Sequence, residues 1–350
     1  MKLLVRGPVD TVTGYGNDVV GLIQALLDFG VQVHLWPTSL QPPVPRRVLA
    51  LLDQPIAPPY DAVLLYEQPR NLLGVEQYCD VARAVLGWTM WERTPVTPAA
   101  LGLASEPEGR PFAALDTLVV TCPMNVEAFR AVDDVVPIEV IPPGLDVEAF
   151  PQVRRGLRGP VVFGANMVVS SRKDPYALLA AWRDFRERWP ELDARLELKT
   201  IPPGLHPRVT DVYPDVVLHQ AVWSVDQVRD WYSLLDVFVS AARGEGMNKP
   251  AVEAMATGLP VVATRWGGHA NWQSAQHGYP VAHRLADSPL ERGTLDGPVV
   301  HDSLVTALHT AATDGMTRLA KGNAAAAFVR SALSWQHAVE HLLRVASKHL

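Results

Sequence analysis

Two glutamates, Glu245 and Glu253, frame the stretch GEGMNKPAVE, with a proline between them. Gly244 and Gly246 flank the first carboxylate, so the backbone there can come close to a ligand. Pro250 suits the first turn of a helix and Gly258 its end. This spacing predicts Glu245 in a strand-to-helix loop and Glu253 in the first helical turn. Amides at a helix start attract phosphate, and carboxylates beside them accept hydrogen bonds from hydroxyl groups. The ligand so described carries both phosphate and hydroxyls, as a nucleotide sugar does. A glutamate at a helix start is also stabilised by the macrodipole alone, and glycines are ordinary in turns. Spacing by itself leaves both readings open.

A second constellation stands at Arg172 and Lys173, directly before DPYALL. Asp174 reads as an N-cap and Pro175 as the first helical residue, so two cations sit at a helix start, where a diphosphate leaving group would be held. The alternative is a solvated basic pair. Gly14, Tyr15 and Gly16 lie between the first strand and its helix, which alone is a generic turn. His269, in GGHAN, follows a strand; a lone histidine in such a place is more often structural than a ligand contact.

These residues must be positioned by a scaffold, and its rhythm is legible. KLLVRG, VQVHLW, DAVLLYE, VLGWTMWE, DTLVVTC and IEVIPPG read as strands alternating with helical segments, the first helix stopping at Gly30. PPGLDVEAFPQVRRGLRGP breaks that alternation near residues 150 to 158. It then restarts with PVVFGANM, a helix from about Pro175 to Trp189, ARLELKT, DVVLH, a further helix, DVFVS and PVVAT. That further helix begins with a capping box of Ser224 and Gln227, with Trp223 and Val228 at the staple positions. Such βαβ punctuation predicts an α/β protein of two Rossmann-like, doubly wound domains, whose ligand lies at the carboxyl ends of the strands. The expected division is 1–152, 153–330 and a carboxy-terminal helix, 331–350, returning toward the first domain.

Bulk properties agree with this class. The chain has 350 residues, 48% hydrophobic and 19% charged, long enough for two cores. Its 30 prolines fall at element ends rather than in a tract. No stretch has the length of a membrane span, and the start is too soon interrupted for a signal peptide. Cys79 and Cys122 make no disulfide framework or metal-ligand spacing, so each is expected as a buried filler in a cytoplasmic protein. A net charge of −6 argues against a nucleic-acid coat. Arg46 and Arg47, in VPRRV, are a thin signal for a membrane surface.

GEGMNKPAVEAMATGLPVVAT followed by WGG resembles the E-x7-E signature of the retaining, nucleotide-sugar-dependent glycosyl transferases group one class, which has the GT-B fold. FGANMVVSSRKDPYALLAAW is similar to that family's basic phosphate-binding segment, VIPPGLDVEAF to its exit from the amino-terminal domain, and VTGYGNDVVGLIQALLDFGVQVHLW to its glycine-rich first loop and helix. The resemblance implies that the two domains face one another across a cleft. Glu245 would contact the hydroxyls of the donor sugar and Glu253 the ribose. Gly246, Met247, Asn248 and Lys249 would border the diphosphate, with Asn166 nearby and Gly14, Tyr15 and Gly16 against donor or acceptor.

The match is imperfect. Met247-Asn248-Lys249 stands where the family often has Phe-Gly-Leu, and Ala165-Asn166 where it has Gly-Arg, leaving Arg172 and Lys173 to supply charge. Trp91 and Glu92 occupy the neighbourhood of a histidine common in relatives, and with His269 are candidate sugar or acceptor contacts. The implied activity is transfer of a sugar from a nucleoside diphosphate donor, UDP- or GDP-linked, with retention of configuration. No cofactor or metal is expected, since no D-x-D occurs. The acceptor stays open among glycan, lipid, small molecule, protein and modified DNA base. A nucleotide-sugar epimerase or a non-catalytic nucleotide-sugar-binding protein is the alternative.

Overall fold

The computed structural model describes residues 1–105, 109–157, 159–202, 204–206 and 208–350. Of the proline- and arginine-rich break near residues 150 to 158, Arg158 lies outside the described residues. The chain divides into two compact units, Met1–Leu145 with Leu333–Leu350, and Asp146–Ala332.

The first unit is built on β1 (Lys2–Val9), β2 (Gln32–Leu40), β3 (Tyr60–Tyr66), β4 (Ala82–Thr89), β5 (Thr117–Val120) and β6 (Ile138–Val140), in the order β2-β1-β3-β4-β5-β6. Every pairing is parallel. Both faces of the central strands are apolar, as a sheet covered on both sides requires. One face buries Leu3, Val5, Leu64 and Leu86 beneath the helix Gly14–Asp28. The other buries Leu4, Val63, Leu65 and Val85 beneath Phe112 and Phe129. The carboxy-terminal helix Trp335–Ser347 presents Val339, Leu342 and Val345 to the first of these faces.

The second unit repeats the plan with β7 (Val161–Met167), β8 (Ala194–Thr200), β9 (Val216–Gln220), β10 (Val237–Val239), β11 (Val261–Thr264) and β12 (Gly278–Val281), in the order β12-β11-β10-β7-β8-β9, again all parallel. Its core gathers Phe163, Trp182, Phe185, Leu196, Val239 and Leu308. The reversal of strand order between β7 and β10 is the topological switch point, the place where sheets of this kind bind ligands.

The division falls earlier than the expected 152/153, for a physical reason. Leu145 N donates to Leu333 O at 2.8 Å, which ends the first unit. Phe150 then lays its ring on Tyr232, with centroids 6.2 Å apart, and Val153 N donates to Thr257 O at 3.0 Å. Arg155 goes further: its guanidinium donates to the carbonyls of Tyr232, Ser233, Leu235 and Thr257, the carboxy-terminal groups of two helices. The segment after Leu145 is therefore stitched to the second unit.

Other expectations change too. Cys122 is buried, but Cys79 is exposed, because the short turn Glu76–Tyr78 lies at the surface. The capping box of Ser224 and Gln227 is present in full. Trp223 meets the ring of Trp231, with centroids 6.0 Å apart, across the first turns of that helix. No helix among the described residues is long and apolar enough to cross a membrane.

Candidate active site

The strand β10 ends at Val239, and the loop that follows carries Glu245. Glu245 is 4% exposed, and its carboxylate is held between two cations. Arg172 Nη1 donates to Oε2 at 2.7 Å and to Gly244 O at 2.8 Å, while Lys173 Nζ donates to Oε1. Backbone joins the same loops, since Arg243 N donates to Arg172 O at 2.8 Å. Burial alone would raise the Glu245 carboxyl, but Lys173 and Arg172 overcome it and hold the group down to about 2. It is ionised at neutral pH, and two cations against one anion leave the cluster net positive.

Both cations owe their place to a cap. Asp174 adopts a left-handed conformation, φ 45°, and accepts from Ala177 N at 3.2 Å, opening the helix Pro175–Arg188. This turn aims Arg172 and Lys173 back toward the end of β10. Arg243, beside Glu245 in sequence, is fixed by the buried Asp296 through Nε at 3.0 Å and Nη2 at 2.8 Å.

Asn248 is the hinge between loop and helix. It too is left-handed, φ 61°, a conformation asparagine tolerates better than most residues. Its buried amide donates to Ser240 Oγ at 3.0 Å and to His269 Nε2 at 2.9 Å. His269, 1% exposed, places its other nitrogen 3.1 Å from Thr264 Oγ1. Because an amide N–H can only donate, Nε2 is the acceptor and the ring proton sits on Nδ1. Burial first, then the nearby Lys173 and Arg172, push His269 down to about 4 against the pull of Glu245, so the ring is neutral. Both nitrogens are engaged inside the loop, where His269 braces Asn248.

The second glycine of WGG has a clear task. Gly268 N donates to Glu245 O at 2.6 Å, and a Cβ at this position would lie 2.2 Å from Gly246 O. Only a glycine lets the turn Gly267–Asn271 close on the Glu245 loop.

Glu253 differs from expectation. The helix runs Lys249–Ala256, so it starts one residue ahead of Pro250 and leaves Glu253 in the second turn. The left-handed Asn248 causes this, by ending the loop early. Glu253 is partly buried, and Tyr232 Oη donates to its Oε2 at 2.9 Å. Burial raises its pKa, opposed by Tyr232 and by the charges of Lys249 and Lys199. Asn166, at the end of β7, places Nδ2 3.5 Å from the same Tyr232 hydroxyl. Lys199 is its register partner on β8, nine-tenths buried and 5.7 Å from the Trp223 ring. Lys199 and Tyr232 are absent from the sequence reading, since neither belongs to a spaced motif.

In the first unit, Gly14, Tyr15 and Gly16 form the first turn of the helix Gly14–Asp28 rather than the loop before it, because Thr13 is the N-cap and accepts from Gly16 N at 3.0 Å. Asp10 closes the strand-to-helix turn, accepting from the backbone N–H groups of Val12 and Thr13 and from the Thr13 hydroxyl. Tyr15 Oη lies 3.3 Å from Met90 O, at the carboxyl end of β4. Burial, with Glu92 adding, raises its phenol well above the ordinary range. Arg93 stacks over the Trp91 ring at 4.5 Å. The structure thus gathers Tyr15, Trp91 and Glu92 at one sheet edge of the first unit. It gathers Asn166, Arg172, Lys173, Glu245 to Lys249, Glu253 and His269 at one sheet edge of the second.

Comparison with known proteins bears on the fold and on the family the second unit resembles. Residues 159–289 match the model of the family described as glycosyl transferases group 1. A D-inositol 3-phosphate glycosyltransferase of Paenarthrobacter aurescens is 31% identical over 145 residues, 37% of this chain and 36% of that protein. The match therefore spans about a third of the relative's length. A D-inositol 3-phosphate glycosyltransferase 2 of Catenulispora acidiphila is 25% identical over 317 residues, covering 72% of this chain and 74% of the relative. Among solved structures, a sucrose-phosphate synthase of Thermosynechococcus elongatus superposes with a TM-score of 0.67 at 16% identity, covering 99% of each chain. An Anabaena protein solved with UDP and glucose gives 0.65 at 14% identity, covering 99% of this chain and all of that one. The fold is that of the GT-B glycosyltransferases, and residues 159–289 are similar to the glycosyl transferases group 1 family.

Proposed function

We propose that the chain is a glycosyltransferase that moves a sugar from a nucleoside diphosphate donor to an acceptor hydroxyl with retention of configuration. The observation that carries this reading is the buried Glu245 carboxylate held between Arg172 and Lys173 beside a helix start. Departure of a nucleoside diphosphate develops negative charge on the leaving oxygen and positive charge on the sugar ring. Two fixed cations in a net positive cluster stabilise the first, and they do so without reorganising at the moment of bond breaking. Glu245, kept ionised, offers acceptor oxygens to the sugar hydroxyls. Glu253 would take the ribose, and the first turn of the helix Lys249–Ala256, with Lys249, would border the diphosphate.

A UDP- or GDP-linked donor, metal-independent turnover and a cytoplasmic setting belong to the same proposal. The acceptor is a glycan, lipid, small molecule, protein or modified nucleobase. The test is product analysis with isotopically labelled nucleotide sugars and a panel of acceptors. Label in a new glycoside of unchanged anomeric configuration supports the reading. An epimerised donor, or no product with any donor despite binding, would replace it with the epimerase or the non-catalytic binder.

A further inference from the structure

Glu253 sits on the helix Lys249–Ala256, but what fixes its carboxylate comes from elsewhere. Tyr232 is fully buried near the end of the helix Val225–Ser233, its ring set among Phe150, Trp231 and Phe238. One polar atom emerges from this apolar nest. The hydroxyl lies 2.9 Å from Glu253 Oε2, with Pro250 O at 3.1 Å and Asn166 Nδ2 at 3.5 Å. The helix behind it is anchored at both ends, by the capping box of Ser224 and Gln227 and by Arg155 on the carbonyls of Tyr232 and Ser233. A glutamate has three rotatable side-chain bonds, and freezing them costs conformational entropy whenever a ligand must do it. Here a hydroxyl anchored in the core already holds one of its oxygens.

Resting on the reading of Glu253 as the ribose contact, we propose that Tyr232 is a positioning residue for the donor. Its hydroxyl fixes one oxygen of Glu253 and so aims the carboxylate at the ribose hydroxyls. Tyr232 touches no substrate in this scheme. It sets how strongly the site discriminates a ribonucleotide from a nucleotide that lacks those hydroxyls. Bulk packing is a separate job of the ring, which Tyr232→Phe keeps.

The test is titration calorimetry of wild type and Tyr232→Phe with UDP, GDP and ADP, each beside its 2′,3′-dideoxy counterpart. Wild type is expected to bind one ribonucleotide better than its dideoxy analogue. Tyr232→Phe should lose about tenfold in affinity for the ribonucleotide, the scale of one hydrogen bond to a charged group, and nothing for the dideoxy analogue. In a Glu253→Ala background the same change should be silent, because there is no carboxylate left to aim. Equal weakening of both nucleotides, or a further loss on top of Glu253→Ala, would reduce Tyr232 to a packing residue and overturn the proposal. An unchanged ratio in Tyr232→Phe overturns it as well. Should wild type itself fail to distinguish ribo from dideoxy, the ribose role of Glu253 falls too, which separates the two failures.

Discussion

Lys173 and Arg172 each take a different oxygen of Glu245, the arginine at 2.7 Å, so one carboxylate bridges two neighbouring cations from a separate loop. The three groups form one electrostatic unit. Removing Glu245 leaves two like charges uncompensated in a mostly buried place, which is expensive, and removing either cation leaves the carboxylate a single partner.

Turnover should therefore collapse when the unit is broken. Lys173→Ala and Glu245→Gln are each expected to lower kcat roughly 100- to 1,000-fold, the usual cost of deleting one transition-state-stabilising group. Circular dichroism should show both variants folded. Wild-type kcat in both would contradict the assignment.

The neutral His269 predicts a pH dependence of stability. Its pKa in the folded protein is about 4, below the ordinary value of about 6.5 in an unfolded chain. Between these values the unfolded chain takes up a proton that the folded protein refuses, so stability falls as pH falls through this window. His269→Gln lacks this uptake. From pH about 8 to pH about 4, wild type should lose roughly 2–4 kcal/mol relative to that variant, read from urea midpoints. Parallel curves for the two proteins would show that His269 titrates normally.

Gly268 should resist any side chain. A Cβ there meets Gly246 O at 2.2 Å, and both partners are backbone, so the Glu245 loop must move. A shift of about 1 Å in a catalytic group can cost about 100-fold in rate. Gly268→Ala is expected to show a loss of that order in kcat/KM. Unchanged kinetics would mean the two loops are not coupled.

Gly16 makes the corresponding prediction for the first unit. A Cβ at Gly16 would lie 2.1 Å from Asp10 Oδ2, inside the turn that Asp10 closes. Gly16→Ala should destabilise by about 1–3 kcal/mol, the usual cost of overpacking. Urea unfolding that leaves its midpoint unmoved would refute the steric argument.

Much of this architecture could be read from local signals. The capping box at Ser224 and the caps at Asp174 and Gly258 are short-range chemistry, and the strands β1 to β11 are short apolar runs, whereas β12, GYPV, is too short and too mixed to read as one. The helix Gly315–Ala332 escaped because GMTRLAKGNAAAAFVRSA has no apolar stripe. It packs through small residues, with Gly322 so close to Gly258 that a Cβ would meet its carbonyl at 2.1 Å. Glu245, Arg172 and Lys173 were legible as motif members, but their pairing was not, since β8, β9, β10 and the helices among them separate the two segments in the chain. Tyr232 and Lys199 carried no motif at all. Their relation to Glu253 exists only once β7, β8 and the helix Val225–Ser233 are assembled. The left-handed Asn248 explains the misplaced turn of Glu253, because Pro250 marks a helix start to within a residue and no closer.

The claim beneath all of this is that Arg172, Lys173 and Glu245 receive a nucleoside diphosphate sugar, and calorimetric titration tests it most directly. With UDP, GDP and ADP and their glucose conjugates added to wild type, one nucleotide series should saturate a single site per chain, and Lys173→Ala should weaken it at least tenfold. No saturable binding of any nucleotide, or undiminished affinity in the variant, would contradict the account.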